Sequence, residues 1–160
     1  MKKLSILIVS MLIAFQAQAQ GIDAKQIFFG GGLSINDIDY GDNATGFQIF
    51  AGLPIPVNMG KASLSGEVGY MDSGNFKKWT PSGNVSGGSA EGIWVNAVVE
   101  VPVNKNIDLV GRAGLDLGDD DGLMIGGGIG IPVNNKIDLR FEYVIRDNID
   151  SLQANIVIRQ

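Results

Sequence analysis

The side chains with chemistry to offer fall on alternate positions. Glu67, Glu100, Asp108, Asp116, Asp138 and Glu142 share one parity within apolar stretches, and Arg112, Arg140 and Arg159 share it too. A guanidinium facing a carboxylate makes paired, charge-assisted hydrogen bonds, and arginine's planar fork suits an enclosed pair better than lysine's point charge. If these groups face one bore, two outcomes are open. One is a static plug that satisfies buried charges, each expensive when unpaired. The other is a gate whose pairs exchange to open a narrow water path.

Other chemistry has little to work with. The 160 residues include no histidine and no cysteine. General-base and thiol catalysis therefore lack their usual groups, and disulfides are excluded. Ser86 and Ser89 are seryl candidates in a polar loop with no partner to activate them. "FGGGL" (Phe29–Leu33) and "IGGGIG" (Ile125–Gly130) lack both the spacing and the lysine of a phosphate loop. Glycine that lets strands coil around a crowded interior explains them better. No enzyme activity and no cofactor are expected.

The elements that must position the charges are strands. Twenty-three glycines and a period of two in the apolar residues favour strand over helix. Polar, turn-rich breaks at Ser34–Thr45, Asp72–Glu91, Gly118–Gly122 and Arg146–Asp150 alternate with three related turns, "PVNMGK" from Pro56, "PVNKN" from Pro102 and "PVNNK" from Pro132. Eight strands result, at 26–35, 46–55, 61–71, 92–101, 107–117, 123–131, 137–145 and 151–159. Long loops at one end and tight turns at the other describe an antiparallel up-and-down meander, and eight such strands close without free edges.

One parity of every strand is apolar and free of charge: Phe29, Leu33 and Ile35 in the first, Leu109 and Leu115 in the fifth, Leu139, Phe141 and Tyr143 in the seventh. The opposite parity carries the charges together with Gly, Ser and Asn, and with Phe28, Phe50, Trp94, Val98, Val110, Met124, Val144 and Val157. Either face could meet water. Lysine decides the matter, because Lys25, Lys61, Lys77, Lys78, Lys105 and Lys136 all lie at strand ends, turns or loops and none mid-strand. A strand face washed by water normally carries lysine, whereas an enclosed face rarely does. The apolar face therefore meets lipid, in strands of the length a transmembrane barrel needs, about 9–11 residues.

The first twenty residues, "MKKLSILIVSMLIAFQAQAQ", have the layout of a secretory signal peptide: Lys2 and Lys3, an apolar run from Leu4 to Phe15, and Ala17-Gln18-Ala19 as the cleavage site. Residues 1–19 are then the signal peptide and 20–160 the barrel domain. Losing two lysines leaves ten basic against 17 acidic side chains, a net charge of −7. That balance excludes a nucleic-acid partner.

With its signal peptide, eight alternating strands and contrasting loop lengths, the mature chain resembles the small eight-stranded outer-membrane barrels of Gram-negative bacteria, the OmpA/OmpX-like type. The resemblance implies an outer-membrane location, tight turns facing the periplasm, long loops facing outward, lipid and lipopolysaccharide as surroundings, the barrel-assembly machinery as a partner, and a monomer. Such barrels usually finish on an aromatic residue, whereas this chain finishes Ile158-Arg159-Gln160. The implied function is structural, stabilising the envelope or presenting loops. The alternatives are a narrow channel gated by the internal ion pairs and a soluble periplasmic barrel holding an apolar ligand.

Two loop motifs remain. "NDIDYGDN" (Asn36–Asn43) and "GDDDG" cluster carboxylates without the order of a calcium loop, so they read as solvated charge, with weak divalent bridging to lipopolysaccharide as the sharper alternative. "NFKKWT" sets Lys77, Lys78 and Trp79 together as a contact for lipid phosphates.

Overall fold

The computed structural model describes residues 26–38, 41–80 and 83–160, with the backbone alone for 78–80 and 83–86. The signal-peptide segment lies outside the described residues. Ten strands follow in order: β1 Phe28–Ile38, β2 Ala44–Met59, β3 Ala62–Asp72, β4 Lys77–Thr80, β5 Gly83–Ser86, β6 Glu91–Pro102, β7 Asp108–Asp116, β8 Gly122–Pro132, β9 Ile137–Ile145 and β10 Ile149–Ile158. Eight of them close a barrel in the order β1-β10-β9-β8-β7-β6-β3-β2, and every pairing is antiparallel. The eight-stranded antiparallel barrel expected from the alternation is the fold observed.

The two faces separate by parity. Leu33 is 64% exposed and Leu123 66%, whereas Trp94, Val98, Met124, Val144 and Val157 are wholly buried. All the larger apolar residues placed on the inner parity lie in the lumen. A register slip of one residue would exchange the faces, so the apolar alternation itself fixes the pairing.

Two segments differ from the sequence reading. The stretch 72–91, expected to be plain loop, contains a hairpin: β4 pairs with β5, Lys77 opposite Ser86. Phe76, next to it, turns inward and packs with Ala44 and Ile149 beneath the long loops. The second strand, expected to stop at 55, runs on to Met59 with a register irregularity between Ile55 and Met59. Its Pro-Val-Asn therefore lies in the strand, and Gly60, at φ +70, makes the turn. In all three Pro-Val-Asn copies the asparagine organises the turn, Asn58 Oδ1 accepting from Gly60 N at 3.2 Å. Asn104 Oδ1 accepts from Asn106 N at 2.8 Å, and Asn134 Oδ1 accepts from Lys136 N at 2.8 Å and Ile137 N at 3.0 Å.

Candidate functional site

The lumen aromatics are seated on glycines. In the strand register Gly30 faces Phe50, Gly52 faces Phe28, and Gly69 faces Trp94. A Cβ at Gly30 would lie 2.2 Å from the Phe50 ring, and one at Gly69 would lie 2.4 Å from the Trp94 indole. Each ring therefore lies flat over bare backbone. Its other face takes an arginine: Arg112 over Trp94 at 5.5 Å, Arg140 over Phe50 at 5.5 Å and Arg159 over Phe28 at 5.1 Å. The bore is thus built of three glycine–aromatic–guanidinium stacks, a cation–π geometry that desolvation strengthens.

The guanidiniums, fixed in that way, meet carboxylates from other strands. Arg112 on β7 forks onto Glu142 on β9, Nε to Oε1 at 2.9 Å and Nη2 to Oε2 at 2.8 Å. The same Nη2 lies 3.5 Å from Glu67 Oε2 on β3. Arg140, also on β9, donates to Glu67 Oε1 from Nη1 at 2.8 Å and from Nη2 at 2.9 Å. It lies 3.4 Å from Glu100 and 3.9 Å from Glu142. Glu67, Arg112, Arg140 and Glu142 are all buried, so this quartet spans the bore in a medium that screens little.

Toward the tight turns, Arg159 binds Glu100 at 2.9 Å and Asp138 at 2.6 Å. Burial alone would lower its pKa, but Glu100 and Asp138 hold it above the ordinary value. Asp108 is half-buried nearby and has no ion pair among the described residues. Toward the long loops, Asp116 pairs with Arg146 at 3.1 Å. Burial keeps the Arg146 guanidinium below its ordinary pKa, against the pull of Asp116.

Arg146 escaped the sequence reading because it stood in a polar break. Its parity follows Arg140, Glu142 and Val144, and that was the available signal. A second missed feature is the amide file beside the quartet. Gln48 Nε2 donates to Gln153 Oε1 at 2.7 Å and to Asn155 Oδ1 at 2.8 Å, and Asn155 Nδ2 donates to Glu142 at 3.4 Å. Above it, Arg146 Nη1 donates to Ser151 Oγ, Ser151 to Asn36 Oδ1, and Asn36 Nδ2 to the Ser73 carbonyl, each at 2.7 Å.

The loop residues lie apart from this site. Lys77 is exposed, and its carbonyl accepts from Asp42 N at 2.9 Å. The side chains of Lys78 and Trp79 lie outside the described residues, as do parts of the acidic segment Asn36–Asn43. At the rim Tyr70 hydrogen-bonds to Glu91, and Tyr143 to Asp150 at 2.7 Å.

Comparison with solved structures returns membrane barrels. A de novo designed transmembrane β-barrel matches with a TM-score of 0.57 and 17% identity, over 86% of this chain and 98% of that one. The Yersinia pestis outer-membrane protein Ail, in a phospholipid bilayer nanodisc, matches at 0.55 and 12% identity, over 84% and 99%. Ail, the attachment invasion locus protein, in complex with the heparin analogue sucrose octasulfate matches at 0.50 and 12% identity, over 84% and 95%. These likenesses show the fold alone. No curated protein matches the sequence. A family model described as an outer membrane protein β-barrel domain matches residues 5–157.

Proposed function

We propose, from the premise that this chain belongs to the outer-membrane protein β-barrel family, that it is a non-enzymatic, closed envelope barrel presenting its long loops outward. The outer membrane is its location. Residues 1–19 direct export and are cleaved off after Ala19, insertion is by the barrel-assembly machinery, and the mature protein is a monomer surrounded by lipid and lipopolysaccharide.

The observation that carries the closed reading is the buried quartet of Glu67, Arg112, Arg140 and Glu142, flanked by Trp94 and Phe50 across the bore. Eight strands enclose an interior just wide enough to be filled by side chains. Each guanidinium in the quartet contacts two or more carboxylates, so exchanging pairs to open a path would strip several charges at once. A gated channel is accordingly the weaker reading. A soluble barrel holding an apolar ligand is the weakest reading, because the bore is filled by paired charges, amides and packed rings while the apolar face lies outside.

The absence of histidine and cysteine supports the non-enzymatic reading. For the surface role, the loops bear Asp37, Asp72, Glu91, Asp119, Asp121 and Asp147. The net negative charge of these loops favours a cationic or neutral partner over an anionic ligand such as the one bound to Ail, with Lys77 and Lys78 as the one basic contact for lipid phosphates. Planar-bilayer recording of the native chain and of Arg112→Ala tests closure. No current from either is expected, and steady unitary currents from the native chain would overturn it.

A further inference from the structure

Outside the barrel, the apolar face is interrupted by a groove of about 480 Å³. Its floor follows from strand register: Leu53 faces Gly66, Gly66 faces Ala97, and Ala97 faces Ala113, so small outward side chains line up across β3, β6 and β7. Val68 and Leu115 form part of its walls. The strands beneath this groove are joined by the tight turns that carry Lys61 and Lys105.

Those turns have a composition of their own. Lys61, Lys105 and Lys136 are exposed, none has an ion pair among the described residues, and the segments 56–61, 102–107 and 132–137 hold no carboxylate. Each turn segment also exposes a valine, Val57, Val103 or Val133. The long loops carry Lys77 and Lys78 among Asp37, Asp72, Glu91, Asp119, Asp121 and Asp147 and are net acidic, whereas the tight-turn segments are net basic. Lysine at a membrane boundary attracts anionic headgroups.

We infer that the groove and the two turns above it form one site for an anionic phospholipid, its acyl chain along Gly66, Ala97 and Ala113 and its phosphate at Lys61 and Lys105. The dimensions agree. Lys61 is five residues from Gly66, roughly 16 Å along the strand, or about 12 Å of membrane depth at the usual barrel tilt. One leaflet of hydrocarbon is about 15 Å deep. A second copy of the chain fits the groove less well, because two grooves packed together in one membrane would bring four lysines into apposition.

The inference rests on the membrane-barrel reading, and its test separates the two. The chain is reconstituted into vesicles, and insertion is confirmed by heat-modifiable migration; failure to insert counts against the barrel reading itself. The fraction of spin-labelled phosphatidylglycerol immobilised by the inserted barrel is then compared with that of spin-labelled phosphatidylcholine. The native chain should immobilise phosphatidylglycerol at least threefold more strongly. K61Q/K105Q should lose that preference and the groove-filling A97L/A113L should weaken it, while K136Q, on a turn away from the groove, should keep it. No preference in the native chain overturns the site, as does its survival in K61Q/K105Q or an equal loss in K136Q.

Discussion

Replacing Arg112 by leucine removes the guanidinium at the centre of the lumen network and leaves Glu142 without its fork of hydrogen bonds at 2.9 and 2.8 Å. Breaking a buried pair by deleting one partner typically costs about 3–5 kcal/mol. Two features place this site at the low end. Arg140 stays within 3.9 Å of Glu142 and holds Glu67 at 2.8 Å, so neither carboxylate is wholly abandoned. The expected loss is therefore about 3 kcal/mol, or somewhat more than a hundredfold in the folding equilibrium. The double variant Arg112→Leu/Glu142→Leu removes both charges and should lie within about 1 kcal/mol of the native chain. Urea unfolding of the barrel in vesicles reads both values. In a Trp79→Phe background Trp94 is the sole tryptophan, and it stacks directly on Arg112. A loss below about 1 kcal/mol for the single variant, or a double variant as unstable as the single, would refute the claim that the buried charges stabilise one another as pairs within the bore.

Further expectations follow from the packing. Gly30→Val drives a side chain into the Phe50 ring, which stacks on Arg140, and should cost about 1–3 kcal/mol of unfolding free energy by overpacking. Gly111→Ala points a methyl into open space and should change stability by no more than about 0.5 kcal/mol in the same measurement. Asn134→Ala loses the two turn hydrogen bonds to Lys136 N and Ile137 N and should cost about 0.5–1.5 kcal/mol by urea titration. Phe76→Ala should release the hairpin loop from its seat on Ala44 and Ile149, seen as faster tryptic cleavage after Lys77 with the barrel intact.

The face each residue takes was legible because a period of two links neighbours along a strand without any knowledge of partners. Leu33 outside and Ser34 inside, or Leu109 outside and Val110 inside, needed nothing further. What was not legible depends on pairing between strands. That Gly69 lies under Trp94, and that Arg112 covers the other face of that ring, requires the register of β3 against β6 and the closure of the barrel. The outward groove was hidden for the same reason, since Gly66, Ala97 and Ala113 are far apart in sequence and adjacent only across strands. Arg146 was missed by stopping the parity one residue early. The β4–β5 hairpin was missed because Gly, Ser and Pro around it read as loop, and a short two-stranded pairing carries little periodicity.

The central claim is the direction of the two faces. Single cysteines at Leu109, Ile129 and Leu139, in barrels inserted into vesicles, should stay unmodified by a charged, water-soluble maleimide and should collide with dissolved oxygen far more than with a polar nickel chelate when spin-labelled. Free reaction of these three positions with the charged maleimide in the folded, inserted protein would contradict the account.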